Sequence, residues 1–217
     1  MIRAGRQSGS HGVTPASQEV VEATTAAAPA DASAQLVEVP AYAGTLAPPE
    51  RDRIRLLRRN LVEAMRHARE IKPRRGAADR PAPEPTGFVG QVARAACALC
   101  RGWCCSKGGE HAYLDGPSLA RIRRARPDLD AWGILRLYTG AVADPAYAGS
   151  CVFHGAQGCT LDRALRSNLC NEYFCNGLSA VVKQGRAPAR AMVVAARDEV
   201  RRTSALVSPE DESAIGK

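Results

Sequence analysis

Apolar residues recur at helical spacing over residues 48–72. Ile54, Leu57, Leu61, Met65 and Ala68 fall three or four positions apart, which places them on one face of an α-helix. Proline and carboxylates, both favoured in a first turn, precede the run. The pattern predicts an amphipathic helix, and its outer face is strongly basic, with Arg51, Arg55, Arg58, Arg59, Arg66 and Arg69.

Two further helices are predicted between residues 115 and 143. Residues 115–127 begin with Asp115, which suits an N-terminal cap, followed by Pro117 in the first turn, and they end at a second proline. Residues 129–143 carry apolar side chains that we expect to supply much of the core, namely Leu129, Trp132, Leu135, Leu137 and Tyr138.

The C-terminal part predicts two more helices, over residues 178–186 and 187–207. The second places four apolar side chains on one face, namely Met192, Val193, Ala196 and Val200. Strand signals are few. All eight cysteines fall within residues 97–175, and such a density is typical of sites for soft metals. The sequence therefore predicts a mostly α fold, in which a small, irregular, cysteine-rich metal-binding domain has its helices packed around the metal site.

The remaining segments show no apolar periodicity. Residues 1–47 are rich in Ala, Ser, Thr and Pro and are interpreted as a disordered leader. Residues 73–88 contain four prolines and predict an extended linker. Residues 208–217 form a polar tail, which leaves residues 89–207 as a cysteine-cluster metal-binding domain with C-terminal helices.

Composition and charge limit the classes of binding partner that the sequence favours. Hydrophobic residues make up 45% of the chain but aromatic residues only 5%, so a structural metal would support a thin core. The net charge is +8, with 26 Arg and 4 Lys. No long basic block has aromatic residues within it, so nucleic acid is not favoured as a partner. A nucleic-acid or protein adaptor role for the basic helix 48–72 stays as an alternative.

The first residues contain no apolar core of a signal peptide, and no run of 18 or more apolar residues exists. We therefore expect a cytoplasmic protein without a membrane partner. Thiols stay reduced in that compartment, so clustered cysteines are expected to bind metal rather than form disulfides.

The eight cysteines fall into two dense sequence groups. Cys97-x2-Cys100-x3-Cys104-Cys105 forms the first, and Cys151-x7-Cys159-x10-Cys170-x4-Cys175 forms the second. A Cys-x2-Cys pair lets two sulfurs reach one ion, whereas adjacent cysteines diverge. We expect all eight to be metal ligands, in a polynuclear site or in two close four-thiolate sites.

Soft thiolates favour zinc, copper(I) or iron, including iron–sulfur clusters. Eight thiolates around two dications would leave a formal charge of about −4. Neighbouring arginines could offset it (Arg94, Arg101, Arg163 and Arg166), and glycines could let backbone N–H groups approach the sulfurs (Gly102, Gly155, Gly158 and Gly177). His154 could replace one thiolate, although a supporting or surface histidine is the simpler interpretation.

The pattern resembles the zinc- or iron-chelating domain family named for its CxxCxxCC motif. The segments CALCRGWCC, CVFHGAQGCTL, LRSNLC and NEYFC, within residues 97–175, carry the resemblance. The chain has one additional residue between Cys100 and Cys104, and Ser167 where the family usually has proline. The resemblance implies metal chelation by the eight cysteines.

The family includes flagellin lysine-N-methylase, so the resemblance also implies an enzymatic alternative. That alternative is a cluster-dependent or S-adenosylmethionine-using protein-modifying enzyme, with a cofactor pocket near His154 and Tyr173. No Gly-rich nucleotide-binding fingerprint follows a strand. The leading hypothesis is a cytosolic protein that chelates zinc or iron, including iron as an iron–sulfur cluster. Catalytic residues are not assigned.

Overall fold

The computed structural model describes residues 34–72, 81–184, 190–203 and 207–208. The helices are α1 (Arg51–Glu70), α2 (Gly87–Cys100), α3 (Gly116–Ala125), α4 (Ala131–Gly140), α5 (Asn168–Glu172) and α6 (Asn176–Gln184), with 3₁₀ turns at Trp103–Lys107 and Arg163–Leu165. The strands are β1 (Ala34–Val39), β2 (Leu46–Ala47), β3 (Ala146–Tyr147), β4 (His154–Gly155), β5 (Gly158–Cys159), β6 (Arg190–Arg197) and β7 (Val200–Thr203).

One core forms where α2 and α6 pack on the sheet β1-β6-β7. Strand β1 pairs in parallel with β6, and β7 pairs antiparallel with β6. Alternate residues of the strands face the helices and are buried, namely Val37, Val39, Ala191, Val193 and Ala195. Gly177 lets α6 approach β1, because a Cβ at that position would collide with the Glu38 carbonyl.

A second core joins α1, α3 and α4 to the segment that carries Cys151. Leu57 and Leu61 of α1 are fully buried against α3 and α4, as the helical periodicity predicts. Tyr138 and Phe153 lie in the same core, with ring centroids 6.0 Å apart. The short strands β2-β3-β4-β5 form a small second sheet. The cysteines therefore lie between two cores.

The cap predicted for α3 is confirmed, and α4 begins at a cap that the sequence analysis did not name. The Asp115 carboxylate accepts a hydrogen bond from the Ser118 backbone N–H at 2.9 Å, so α3 begins where the sequence predicts. Asp130 caps α4 in the same way, accepting from the Gly133 N–H at 2.6 Å. Helix α6 also corresponds to the predicted helix at residues 178–186.

The predicted mostly α fold is correct only in part, because the protein is a mixed α/β structure. The helix predicted over residues 187–207 is wrong, since the described part of this segment forms the hairpin β6–β7. A short apolar run is compatible with both the helical and the strand period, and pairing with β1 favours the strand. Asp198 turns the hairpin with φ of 49°.

Three other sequence interpretations need correction. Strands β1 and β2 lie within residues 1–47, where a disordered leader was predicted; residues 1–33 are outside the described part. Helix α2 begins inside the predicted linker 73–88, of which residues 73–80 are not described. Trp132, expected in the core, is 68% exposed.

None of the described helices is long and apolar enough to cross a membrane. The predicted polar tail lies outside the described residues apart from Ser208.

Candidate metal centre

The eight cysteines come from separate elements that meet between the two cores. Helix α2 contributes Cys97 and Cys100, and the following 3₁₀ turn contributes Cys104 and Cys105. The others lie in or beside short elements, with Cys151 before β4, Cys159 in β5, Cys170 in α5 and Cys175 just before α6. All eight are free thiols.

Electrostatic interactions link the thiols into two overlapping groups, and Cys104 interacts with members of both. Cys97 and Cys100 are both influenced by Cys104 and Cys175, so the first thiol group consists of Cys97, Cys100, Cys104 and Cys175. Cys151 is influenced by Cys159 and Cys170, and Cys105 by Cys159. The second thiol group therefore consists of Cys105, Cys151, Cys159 and Cys170.

Burial and mutual repulsion hold several of these sulfurs in the thiol form. Desolvation, followed by the charges of neighbouring cysteines, raises the pKa of Cys97 to about 12. Burial likewise raises the pKa of Cys151 to about 12, and raises that of Cys170. A bound metal cation would lower these pKa values, because a metal ion binds the thiolate form of cysteine.

Cys105 joins the two groups. Its thiol forms hydrogen bonds with the sulfurs of Cys104 and Cys159, which lowers the pKa of Cys104 to about 7 and that of Cys159 to about 6. The same two contacts raise the pKa of Cys105. A continuous line of sulfurs therefore runs from one group to the other.

Arg166 is the cation common to both groups. Its positive charge favours the thiolate forms of Cys97 and Cys104 in the first group and of Cys159 and Cys170 in the second. For Cys97 and Cys170 it offsets only part of the rise in pKa that burial causes. Its Nε donates to the Leu161 carbonyl at 2.9 Å. The guanidinium is therefore anchored beside the thiols, where it can offset thiolate charge.

The other three arginines that the sequence analysis named differ from Arg166 in their surroundings. Arg94 and Arg101 are exposed. Arg163 donates to the carbonyls of Ala82 and Asn171, at 3.1 and 2.9 Å, so it supports the backbone. The sequence did not reveal Arg53, whose charge opposes a small part of the rise in the pKa of Cys151 that burial causes.

Arg121 is a second residue that the sequence did not reveal. It is 1% exposed and donates to the carbonyls of Ala164 and Arg166, at 2.7 and 2.5 Å, and to the Asn168 side chain at 2.9 Å. These bonds fix the turn that carries Arg166 into α5. Ser167 then caps α5 by accepting from the Cys170 N–H at 3.0 Å.

His154 supports the backbone between the groups instead of facing a thiol. It is fully buried, with Nε2 at 2.7 Å from the Arg101 carbonyl and Nδ1 at 2.7 Å from the Ser150 hydroxyl. Because a carbonyl only accepts, Nε2 carries the proton. Burial lowers the pKa of His154, which favours the neutral ring. The single Ser150 hydroxyl proton then has two acceptors within reach, Nδ1 and the Cys105 carbonyl, the latter at 3.0 Å. Both ring nitrogens are therefore occupied.

Glycines allow the close approach of these loops. Gly102 has φ of 83°, and a Cβ there would collide with the His154 ring. Gly108 lies against Cys151, since an added Cβ would be 2.8 Å from the cysteine Cβ. Gly108 was not among the glycines that the sequence singled out.

A cavity of about 380 Å³ opens beside the second thiol group. Five thiols line it, namely Cys104, Cys105, Cys151, Cys159 and Cys170. Its other walls include Arg166, Phe153 and Leu161, with the half-exposed Leu169 and Tyr173 among the lining residues. The cavity thus combines soft ligands with two cationic residues, Arg166 and Lys107.

Among the described residues, no group of three or more His, Cys, Asp or Glu side chains is already arranged to hold a metal ion. The thiols are adjacent, but they are not preset as a coordination sphere. Neither family models, nor curated proteins, nor solved structures yielded a match to this chain.

Proposed function

We propose that this protein chelates zinc or iron through its eight cysteines. The proposal is supported by the meeting of thiols that are distant in sequence. Cysteines from both ends of residues 97–175 form two adjoining groups of four, and the Arg166 charge acts on both groups. Four thiolates are a complete ligand set for a structural zinc ion or an iron–sulfur cluster. The likeness to the CxxCxxCC family supports the same interpretation.

The cavity favours a cluster at the second thiol group. A single zinc ion needs little space, because four sulfurs at about 2.3 Å from it stand roughly 3.8 Å apart. The space of about 380 Å³ beside five thiols has room for several iron ions and inorganic sulfide. Coordination involves rotation of cysteine side chains from their present positions, and Arg166 and Arg53 would offset part of the thiolate charge.

The bound metal would stabilise the fold by joining its two cores. Residues of the first thiol group pack with the sheet core, as Cys100 and Cys175 do. Cys105, Cys151 and Cys159 of the second group pack with the core of α1, α3 and α4. Metal at these sulfurs therefore connects elements that otherwise meet through loops, and its binding free energy adds to folding stability.

The test is metal and sulfide analysis of anaerobically purified full-length protein, with a visible absorption spectrum. We expect metal in the wild type and a loss of metal in Cys104→Ser and Cys159→Ser, with lower thermal stability in both. Ser106→Ala is the matched control, because Ser106 lines the same cavity without a thiol. A brown protein with sulfide indicates a cluster, and a colourless protein with zinc indicates mononuclear sites.

Two outcomes would contradict the proposal. One is a wild-type protein with less than one metal per chain after anaerobic reconstitution with either zinc or iron and sulfide. The other is unchanged metal content in both cysteine variants.

A metal-dependent protein-modifying enzyme is a second candidate, favoured by one observation. Tyr173, which the sequence placed near an expected cofactor pocket, lines the cavity, whereas His154 is buried outside its lining. Calorimetry of the metal-loaded protein with S-adenosylmethionine tests the methyl-transfer form. Absence of binding would remove that form and leave metal chelation unaffected.

A further inference from the structure

Helix α1 has two faces of opposite character. Its apolar face is completely used by the core, with Leu57 and Leu61 no more than 1% exposed. Its outer face exposes arginines along its whole length, namely Arg51, Arg55, Arg58, Arg59, Arg66 and Arg69. The sequence predicts this face, but only the fold shows what lies beside it.

Helix α3 extends the same surface. Gly116 of α3 approaches the α1 backbone at His67, where an added Cβ would be 2.9 Å from the His67 Cβ. Beyond this contact, Arg69 of α1 and two arginines of α3, Arg123 and Arg124, line one open groove of about 280 Å³. No acidic residue lines that groove. We call Arg58, Arg59, Arg66, Arg69, Arg123 and Arg124 the arginine surface.

Carboxylates lie near these arginines without pairing with most of them. Glu63 and Glu70 share a groove with Arg58, Arg59 and Arg66, and Asp130 shares one with Arg69 and Arg123. Within the described part of the chain, Arg58, Arg59, Arg66, Arg69 and Arg123 form no ion pair with a carboxylate. Arg69 and Arg123 lie in the last turns of their helices, where the helix dipole favours cations. That explanation does not cover Arg58 and Arg59, which lie in the middle of α1.

We propose that the arginine surface binds the phosphate backbone of nucleic acid without reading its sequence. Helix α1 spans about 30 Å, which matches roughly nine base pairs of a duplex. Neither α1 nor α3 contains an aromatic residue, so base stacking contributes nothing. The lack of aromatic residues within the basic segments argued against nucleic acid as a partner, but contacts to phosphates need none.

Charge and burial favour this partner over an anionic membrane. A surface helix that binds membranes inserts its apolar face between lipids. The apolar face of α1 is buried in the core and unavailable for insertion. The contact is therefore electrostatic, and it is independent of metal at the cysteines.

The test is binding of the full-length, metal-loaded protein to duplexes of about 20 base pairs, one DNA and one RNA, at about 50 to 200 mM salt. Four or five phosphate contacts predict that log K falls against log[salt] with a slope of about −4. The triple variant Arg58→Gln, Arg59→Gln, Arg66→Gln should weaken binding at least about tenfold and reduce the slope by about 2 to 3.

The matched control changes three exposed arginines elsewhere, Arg94→Gln, Arg136→Gln and Arg201→Gln, which alters net charge equally. It should retain most of the affinity. Equal loss in both triple variants would show that net charge alone is responsible and would overturn the proposal. So would no duplex binding at the lowest salt, or tighter binding to phosphatidylserine vesicles than to either duplex. If only one of the two duplexes binds, that result supports the proposal and identifies DNA or RNA as the partner.

Discussion

His154 donates its Nε2–H to the carbonyl oxygen of Arg101 at 2.7 Å, across 53 positions of sequence. Arg101 lies between Cys100 and Cys104, and His154 lies three positions after Cys151. A single neutral ring therefore sets the position of one cysteine loop relative to the other. Tyr42 and Tyr147 enclose it, with ring centroids at 4.7 and 4.6 Å.

His154→Phe should destabilise the protein by about 1–3 kcal/mol, because it leaves the Arg101 carbonyl without its donor, while the Ser150 hydroxyl keeps the Cys105 carbonyl at 3.0 Å. Chemical denaturation of the metal-free protein measures the change. His67→Gln serves as the control, since His67 is exposed on α1, and should change stability by less than about 0.5 kcal/mol. Similar stability of the Phe variant and wild type would show that the buried hydrogen bonds contribute little.

Gly102→Ala should cost more stability than Gly149→Ala. Both glycines have positive φ, 83° and 69°, so each alanine should lower the free energy of unfolding by about 1–2 kcal/mol through the left-handed backbone conformation. Only at Gly102 does the new Cβ also meet the His154 ring, whereas nothing lies within 4 Å at Gly149. Thermal unfolding of the two variants provides the comparison. Equal losses would mean that the loop moves away from the ring without cost.

Arg166→Gln should weaken metal binding by about 10–100-fold, which is typical when a group supporting a metal site is removed. Its charge acts on thiols of both groups, so both should lose affinity. Competition with a coloured chelator measures this. The unfolding free energy of the metal-free protein should fall by only about 1 kcal/mol, for the lost bond to Leu161.

Arg101→Gln is the control for Arg166, because Arg101 is an exposed arginine in the same region. Its metal affinity should remain within about twofold of wild type, as expected for a surface charge. Equal loss in both variants would assign the effect to net charge instead of to the place of Arg166 beside the thiols.

Glu110→Gln should destabilise the protein by up to about 1 kcal/mol at pH 7. Arg53 donates from Nε to the Glu110 carboxylate at 2.6 Å and lowers the pKa of Glu110. A lowered folded-state pKa gives stability that is present above the unfolded-state pKa and lost as pH falls through the folded-state value. Urea denaturation between pH 7 and pH 3 should therefore show the two proteins converging at acid pH. A constant difference would exclude the ion pair as its cause.

The local sequence pattern was sufficient to predict α1, α3, α4 and α6, because each of these helices has a helical apolar period or a capping residue before its first turn. It was insufficient for residues 187–207, whose apolar run suits both periods. The parallel partner β1 begins at Ala34, far away in sequence, and lies in a segment that composition alone indicated as disordered. Long-range pairing leaves no local signal, so neither strand was predicted.

The sequence by itself determined the thiol content, the dense spacing of the cysteines and the basic face of α1, because these depend only on residue type and short-range period. Tertiary structure decided how the thiols are grouped. It brought Cys105 into contact with Cys159 as well as with its neighbour Cys104, and it brought Cys175 to Cys97. It also placed the buried Arg121 beneath Arg166 and the arginines of α3 beside those of α1. Burial and long-range contacts arise only when the cores pack, so spacing along the chain could not reveal them.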